Sequence, residues 1–121
     1  MSLNITGYSN NISNISMMDT GSVILVTWDD NNISNISCWG TAFIQSWADR
    51  NIITSSNISW NTQITWNDTT VIGCKIWADT GWGSNTITVN AAANRTIIWN
   101  CRVDADVSDS GTDTVADYII Y

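Results

Sequence analysis

Asn10-Asn11-Ile12-Ser13-Asn14-Ile15-Ser16 recurs letter for letter as Asn31-Asn32-Ile33-Ser34-Asn35-Ile36-Ser37, and its core, Ser-Asn-Ile-Ser, returns at 56–59. A second repeat runs through Thr27-Trp28-Asp29-Asp30, Ser46-Trp47-Ala48-Asp49 and Thr65-Trp66-Asn67-Asp68, its tryptophans evenly spaced along the chain. Related pieces follow at Ile76-Trp77-Ala78-Asp79 and Ile98-Trp99-Asn100-Cys101. Self-similarity at such a period marks a repeat architecture. A period of about 19 matches two short strands and two connections, which is one β-hairpin. In that reading the aromatic residue ends a strand and the Asp two positions on opens the turn. Asx side chains suit turns because they hydrogen-bond nearby backbone N–H groups and tolerate left-handed backbone.

Strand patterning agrees. The stretch from Ile58 to Trp66 alternates with one lapse at Thr62, placing Ile58, Trp60, Ile64 and Trp66 on one face. Further strands are predicted near 22–28, 38–47, 71–77, 84–90, 95–103 and 115–121. Ala91-Ala92-Ala93 is too short to nucleate a helix, and Ile, Val, Thr and Trp dominate elsewhere. The expected fold is all-β: a single domain over 1–121, made of antiparallel hairpin repeats of about 19–22 residues. About eight strands would then close as a barrel, a sandwich or a blade-like array. Proline is absent, which removes one common way of blunting edge strands. Barrel closure answers that problem; strand pairing between copies exploits it.

The 121 residues suffice for one core. Charged residues make up only 12%, about half the roughly 25% of ordinary soluble domains. All eleven acids are Asp, there is no His, and Lys75 is the sole lysine. A net charge of −7 with four scattered cations argues against phosphate-backbone binding and disfavours electrostatic docking on anionic membranes. No apolar run approaches the ~20 residues of a membrane span. Met1-Ser2-Leu3-Asn4 has no basic or apolar leader character. The expected location is the cytoplasm, or the exterior by an unconventional route, unless the chain is a mature form. Eight glycosylation sequons, among them those at Asn4, Asn14, Asn35, Asn57 and Asn94, arise incidentally in a chain rich in Asn-Ile-Ser. Cys38, Cys74 and Cys101 read as small apolar strand residues, with one bridge plus a free thiol as the alternative.

Catalysis finds little to work with. Without His or Glu, general bases reduce to Asp and Lys75, and no Ser-His or Cys-His pair exists. Asp19-Thr20-Gly21 and Asp79-Thr80-Gly81 read as turns. The functional hint is eight tryptophans. Most are expected to fill the core, with the few left partly exposed beside Asn and Asp. An indole face stacks on the apolar face of a pyranose while Asx and Gln side chains bind its hydroxyls. The best local candidate is 77–85, with Trp77, Asp79, Trp82 and Asn85 as ligand-binding residues, joined by Trp66 and Asp68.

Trp77-x-x-x-Gly81-Trp82, after a strand ending Ile64-Thr65-Trp66, resembles blade motifs of small Trp-rich β-propeller lectins that bind fucose. The likeness covers roughly 64–88, with a looser echo at 24–39, where Trp28 and Trp39 repeat the spacing of Trp66 and Trp77. The sugar-binding Arg and Glu of that family have no clear counterparts here. Trp82-Gly83-Ser84-Asn85-Thr86 and the strand through Val89 also resemble a hairpin of aegerolysins, small acidic β-sandwich proteins that bind membrane lipids. The first resemblance implies a glycan or glycoconjugate partner and a homo-oligomer. The second implies a membrane-lipid binder or pore component. A self-assembling structural protein, pairing through β-edges, is the third expectation. No cofactor is expected: the run Asp104, Asp106, Asp109 and Asp113 around Gly111 reads as a solvated acidic loop, with calcium as the alternative, the EF-hand spacing and its Glu being missing.

Overall fold

A computed structural model describes residues 1–44, 48–59, 62–76, 86–103 and 106–120. Among them the protein is all-β, without a helix. Every strand pairing between them is parallel. The chain climbs in stacked coils with three faces, the arrangement of a β-solenoid.

Face one carries Asn11–Ser13, Asn32–Ser34, Ile52–Thr54, Thr70–Ile72, Ile97–Trp99 and Val115–Asp117. Successive rungs are one coil apart in sequence, and the step from Thr70 to Ile97 is the longest of the five. Face two stacks the first residues of Ser16–Val26 and Ser37–Ile44 with Asn57–Ile58, Lys75–Ile76 and Arg102–Val103. Face three stacks Ser2–Ile5, the later parts of those two long strands, Thr62–Ile64, Thr86–Val89 and Asp106–Asp109. The long strands run through the corner between faces two and three. There the segment 18–21 bulges out, opposite Trp39 alone.

This corrects the expected topology. The repeats are parallel coils, not antiparallel hairpins, and they form neither a barrel, a sandwich nor a blade array. The repeat period is real, but it is the length of one coil. A hairpin pairs a residue with a near neighbour across a turn, whereas here each residue pairs with its own repeat one coil away. The two identical Asn-Asn-Ile-Ser-Asn-Ile-Ser segments lie directly above one another, Asn11 on Asn32 and Ile12 on Ile33.

The corners explain why the chain bends instead of reversing. At the corner after face one, Asn14, Asn35, Ser55, Gly73, Asn100 and Tyr118 occupy equivalent positions, all with φ between 49° and 62°. At the corner before face one, Ser9, Asp30, Arg50, Asp68, Arg95 and Asp113 do the same, with φ between 53° and 61°. One left-handed residue redirects a strand, and Asn and Asp adopt that region most readily. The Asp residues placed two after Trp28 and Trp66 are thus bend residues, though of corners and not of hairpins.

Inside, like stacks on like. Ile33, Ile53, Val71 and Ile98 form one buried column; Met17, Cys38, Ile58, Ile76 and Val103 form another. Neighbouring rungs of a sheet sit about 4.8 Å apart, a spacing that β-branched side chains fill well. Asn31 and Asn51 continue this logic with polar groups. The Asn51 Oδ1 accepts the Asn31 backbone N–H at 2.9 Å, and the Asn31 Oδ1 accepts the Asn10 N–H at 3.0 Å. The Asn31 and Asn51 Nδ2 groups donate to the Trp28 and Ala48 carbonyls at 2.8 and 2.7 Å. Buried amides satisfied in this way define the corner's position.

The outer column of the same corner alternates in charge: Asp30, Arg50, Asp68, Arg95, Asp113. Arg50 grips Asp30 through Nε–Oδ1 at 2.7 Å and Nη2–Oδ2 at 2.9 Å, and Arg95 grips Asp68 at 2.6 and 2.7 Å. These hydrogen bonds hold both carboxyls below the usual aspartate range. A depressed folded value means their contribution is complete above about pH 4 and fades as the pH falls through those values. Because the pairs are exposed, that contribution is small. Arg50→Gln is expected to return Asp30 to its ordinary titration and to move Asp68 far less. An NMR carboxyl titration reads both residues; an unshifted Asp30 in the wild type would show that the pair does not form in solution.

Candidate functional site

Trp77, Asp79, Trp82 and Asn85, the centre of the sequence-predicted site, lie outside the described residues, as does Asp104. Trp66 is half-buried at the corner before face one. Asp68, two positions on, is engaged by Arg95. Of the calcium candidates, Asp106 begins a face-three strand. Asp109 directs its Oδ1 to the Gly111 N–H at 2.8 Å and the Thr114 hydroxyl at 3.0 Å. Asp113 stands in the corner column before face one, near Arg95. Among the described residues no three His, Cys, Asp or Glu side chains converge.

The tryptophans depart from the expected core role. Trp28, Trp39 and Trp99 are exposed and Trp66 is half-buried, so none of these four described indoles is in the interior. The reason is space: the coil interior is a set of narrow columns filled by Ile, Val, Cys, Met and Ala. With those columns already filled, an indole placed among them would displace its neighbours.

Two exposed aromatic pairs result among the described residues. Tyr8 and Trp28 meet at 5.1 Å between ring centroids at the corner before face one. Trp99 and Tyr118 meet at 4.7 Å with an interplanar angle of 55°. Trp99 ends its face-one strand and is 39% exposed; Tyr118 occupies the following corner one coil on and is 65% exposed. Asn100 follows Trp99 at the left-handed bend and Asp117 precedes Tyr118, both at the surface. The Asp117 carboxylate is oriented by the Tyr118 N–H at 2.8 Å.

The pair sits at the rim of an apolar field. Outward-facing residues of face one change along the stack from Asn11, Ser13, Asn32 and Ser34 to Ile52, Ile72, Ile97 and Val115, each of these last four more than a third exposed, with the half-buried Thr54 and Thr70 between them. Beside this face stand two aromatic rings, an amide and a carboxylate.

Sequence reading registered Trp99-Asn100 only as a fragment of the Trp repeat, and Tyr118 not at all. Asp117-Tyr118 stands one coil after Trp99-Asn100, but that step has meaning only once parallel stacking is known. Comparison with protein-family models, with curated proteins and with solved structures gave no match.

Proposed function

We propose that this protein is a non-catalytic binding scaffold that recognises carbohydrate on face one, through Trp99 and Tyr118 with Asn100 and Asp117. The observation that carries the reading is the exposed Trp99–Tyr118 pair beside two surface Asx side chains. Aromatic rings offer large apolar contact area at little cost in conformational entropy, and the pyranose face matches them. The Asn100 amide and the Asp117 carboxylate beside them suit the hydroxyls of an uncharged ligand. Tyr8–Trp28 is a weaker second platform, because Asp30 beside it is held by Arg50 and Asp29 accepts the Asp49 N–H at 2.9 Å. Two weak platforms on one rigid rod add avidity when the ligand is polymeric.

A glycan array, run with and without calcium, tests the proposal. Signal is expected for neutral glycans, inhibited by a simple sugar. The double variant Trp99→Ala, Tyr118→Ala is expected to lose at least about tenfold in affinity, as for other aromatic anchors. Both side chains are surface groups, so the fold should survive. A clean array at high protein concentration, or full binding by the double variant, refutes this site.

Self-association is a second reading, favoured by Ile52, Ile72, Ile97 and Val115 on the same face. It places the contact on a sheet face and not on β-edges. Sedimentation of the wild type against Ile97→Lys distinguishes the two, since a monomer at all concentrations leaves only ligand binding. Liposome sedimentation over sphingolipid and sterol mixtures provides the corresponding test of lipid binding.

A further inference from the structure

We propose that Cys74 and Cys101 form a disulfide site, a covalent staple between consecutive coils that leaves Cys38 as the free thiol. The first residue after each left-handed corner of face one builds a single column: Ile15, Ile36, Ser56, Cys74, Cys101 and Ile119. Its register is set on both sides of the two cysteines. Ile72 pairs with Trp99 before them, and Lys75 pairs with Arg102 after them. The Arg102 N–H donates to the Cys74 carbonyl at 2.9 Å.

Adjacent rungs about 4.8 Å apart fall inside the Cα separation of roughly 4.4–6.8 Å that a disulfide spans. The two side chains also take the same path. The Cys74 Sγ lies 3.5 Å from the Ile72 carbonyl and 3.6 Å from that of Ile53; the Cys101 Sγ lies 3.4 Å from that of Trp99 and 3.5 Å from that of Val71. Each thiol thus contacts the carbonyl two positions before it and one on the preceding coil. Interaction between the two neighbouring buried thiols pushes the Cys74 thiol up and brings the Cys101 thiol down, so Cys101 is the readier thiolate. Cys38 belongs to the column of Met17 and Ile58, with its Sγ toward the Ser22 carbonyl, and has no cysteine on either neighbouring rung.

The location gives the bond a purpose. The step from Thr70 to Ile97 is longer than every other face-one step, so this coil has the most chain to close. Cys74 and Cys101 stand at its two ends. A link there restricts the unfolded chain and holds the long coil shut. Both thiols are buried, but the corner residue Gly73 is exposed, with open space about its Cα.

With oxidised glutathione as the oxidant, the Cys101 thiolate attacks one of its sulfurs and expels one glutathione thiolate, leaving a mixed disulfide. The Cys74 thiolate then attacks the Cys101 sulfur and expels the second glutathione thiolate. Two protein thiols lose two protons and two electrons, and one glutathione disulfide becomes two glutathione thiols.

The folded chain incubated with oxidised glutathione, then alkylated in denaturant and mapped by mass spectrometry, tests this. The expected products are a linked Cys74–Cys101 peptide, an alkylated Cys38 and a thermal midpoint raised by about 5 °C or more, reversed by dithiothreitol. Cys101→Ser should stay folded and show no bridge and no rise, while Cys38→Ser should match the wild type. Three alkylated thiols after oxidation, glutathione adducts without a bridge, or any bridge through Cys38 would overturn the proposal.

Discussion

Gly40→Ala is expected to destabilise the protein by about 3 kcal/mol or more, the upper range for overpacking a filled site. Gly40 is buried and pairs with Ser22 where the chain returns from the bulge at 18–21. A Cβ on Gly40 would drive into the Ser22 carbonyl oxygen, with the Ser22 carbonyl carbon at 2.5 Å and the Ser22 N at 2.8 Å also inside contact distance. All three are backbone atoms of a paired strand, so no rotamer change relieves the clash. The coils must part. Urea unfolding followed by circular dichroism should show a lower midpoint, or an unfolded variant. Gly73 provides the contrast: its corner is open, and Asn14, Asn35 and Asn100 occupy the same left-handed position. Gly73→Asn is therefore expected to change stability by less than about 0.5 kcal/mol. Equal losses at both glycines would refute the packing argument.

Asn51→Ala should cost about 2–4 kcal/mol, the scale of a lost buried polar network with a small cavity. The side chain is fully buried, accepts the Asn31 N–H and donates to the Ala48 carbonyl. Truncation removes both hydrogen bonds and strands a donor and an acceptor away from water. The same amide links the coils of Asn31 and Asn51, so the damage should be local as well as global. Hydrogen exchange at the Asn31 amide is expected to quicken by at least about tenfold. An unchanged exchange rate would mean that the corner holds without its asparagines. Further along the column Thr69 and Thr96 stand in place of Asn, their buried hydroxyls unpartnered among the described residues. The corner's shape thus tolerates Thr, and Asn51→Thr is expected to fall between the wild type and Asn51→Ala.

Legibility of the fold stopped at a definite point. Ile58 and Ile64 were readable as sharing one face from alternation alone, and both are buried, because a strand points successive side chains to opposite sides whatever its partner. The repeated Asn-Asn-Ile-Ser-Asn-Ile-Ser also carried the coil length. Pairing direction was not readable, because the same period accommodates a hairpin or a three-sided coil equally well. Tryptophan misled for a related reason: its hydrophobicity points inward, but the width of the cavity it would enter is a property of the assembled stack. The candidate site suffered most. Trp99 and Tyr118 share no motif, and they become neighbours only because their coils are stacked.

Composition and alternation by themselves determined an all-β chain, repeated at a short regular period and bent at Asn and Asp. Those features are local, set by backbone sterics and side-chain periodicity within one repeat. Only the tertiary structure decided that the repeats stack in parallel, which thiols lie on adjacent rungs and which aromatic rings meet at the surface. Each of those depends on contacts between residues a full coil apart, and no single repeat contains the information to choose them.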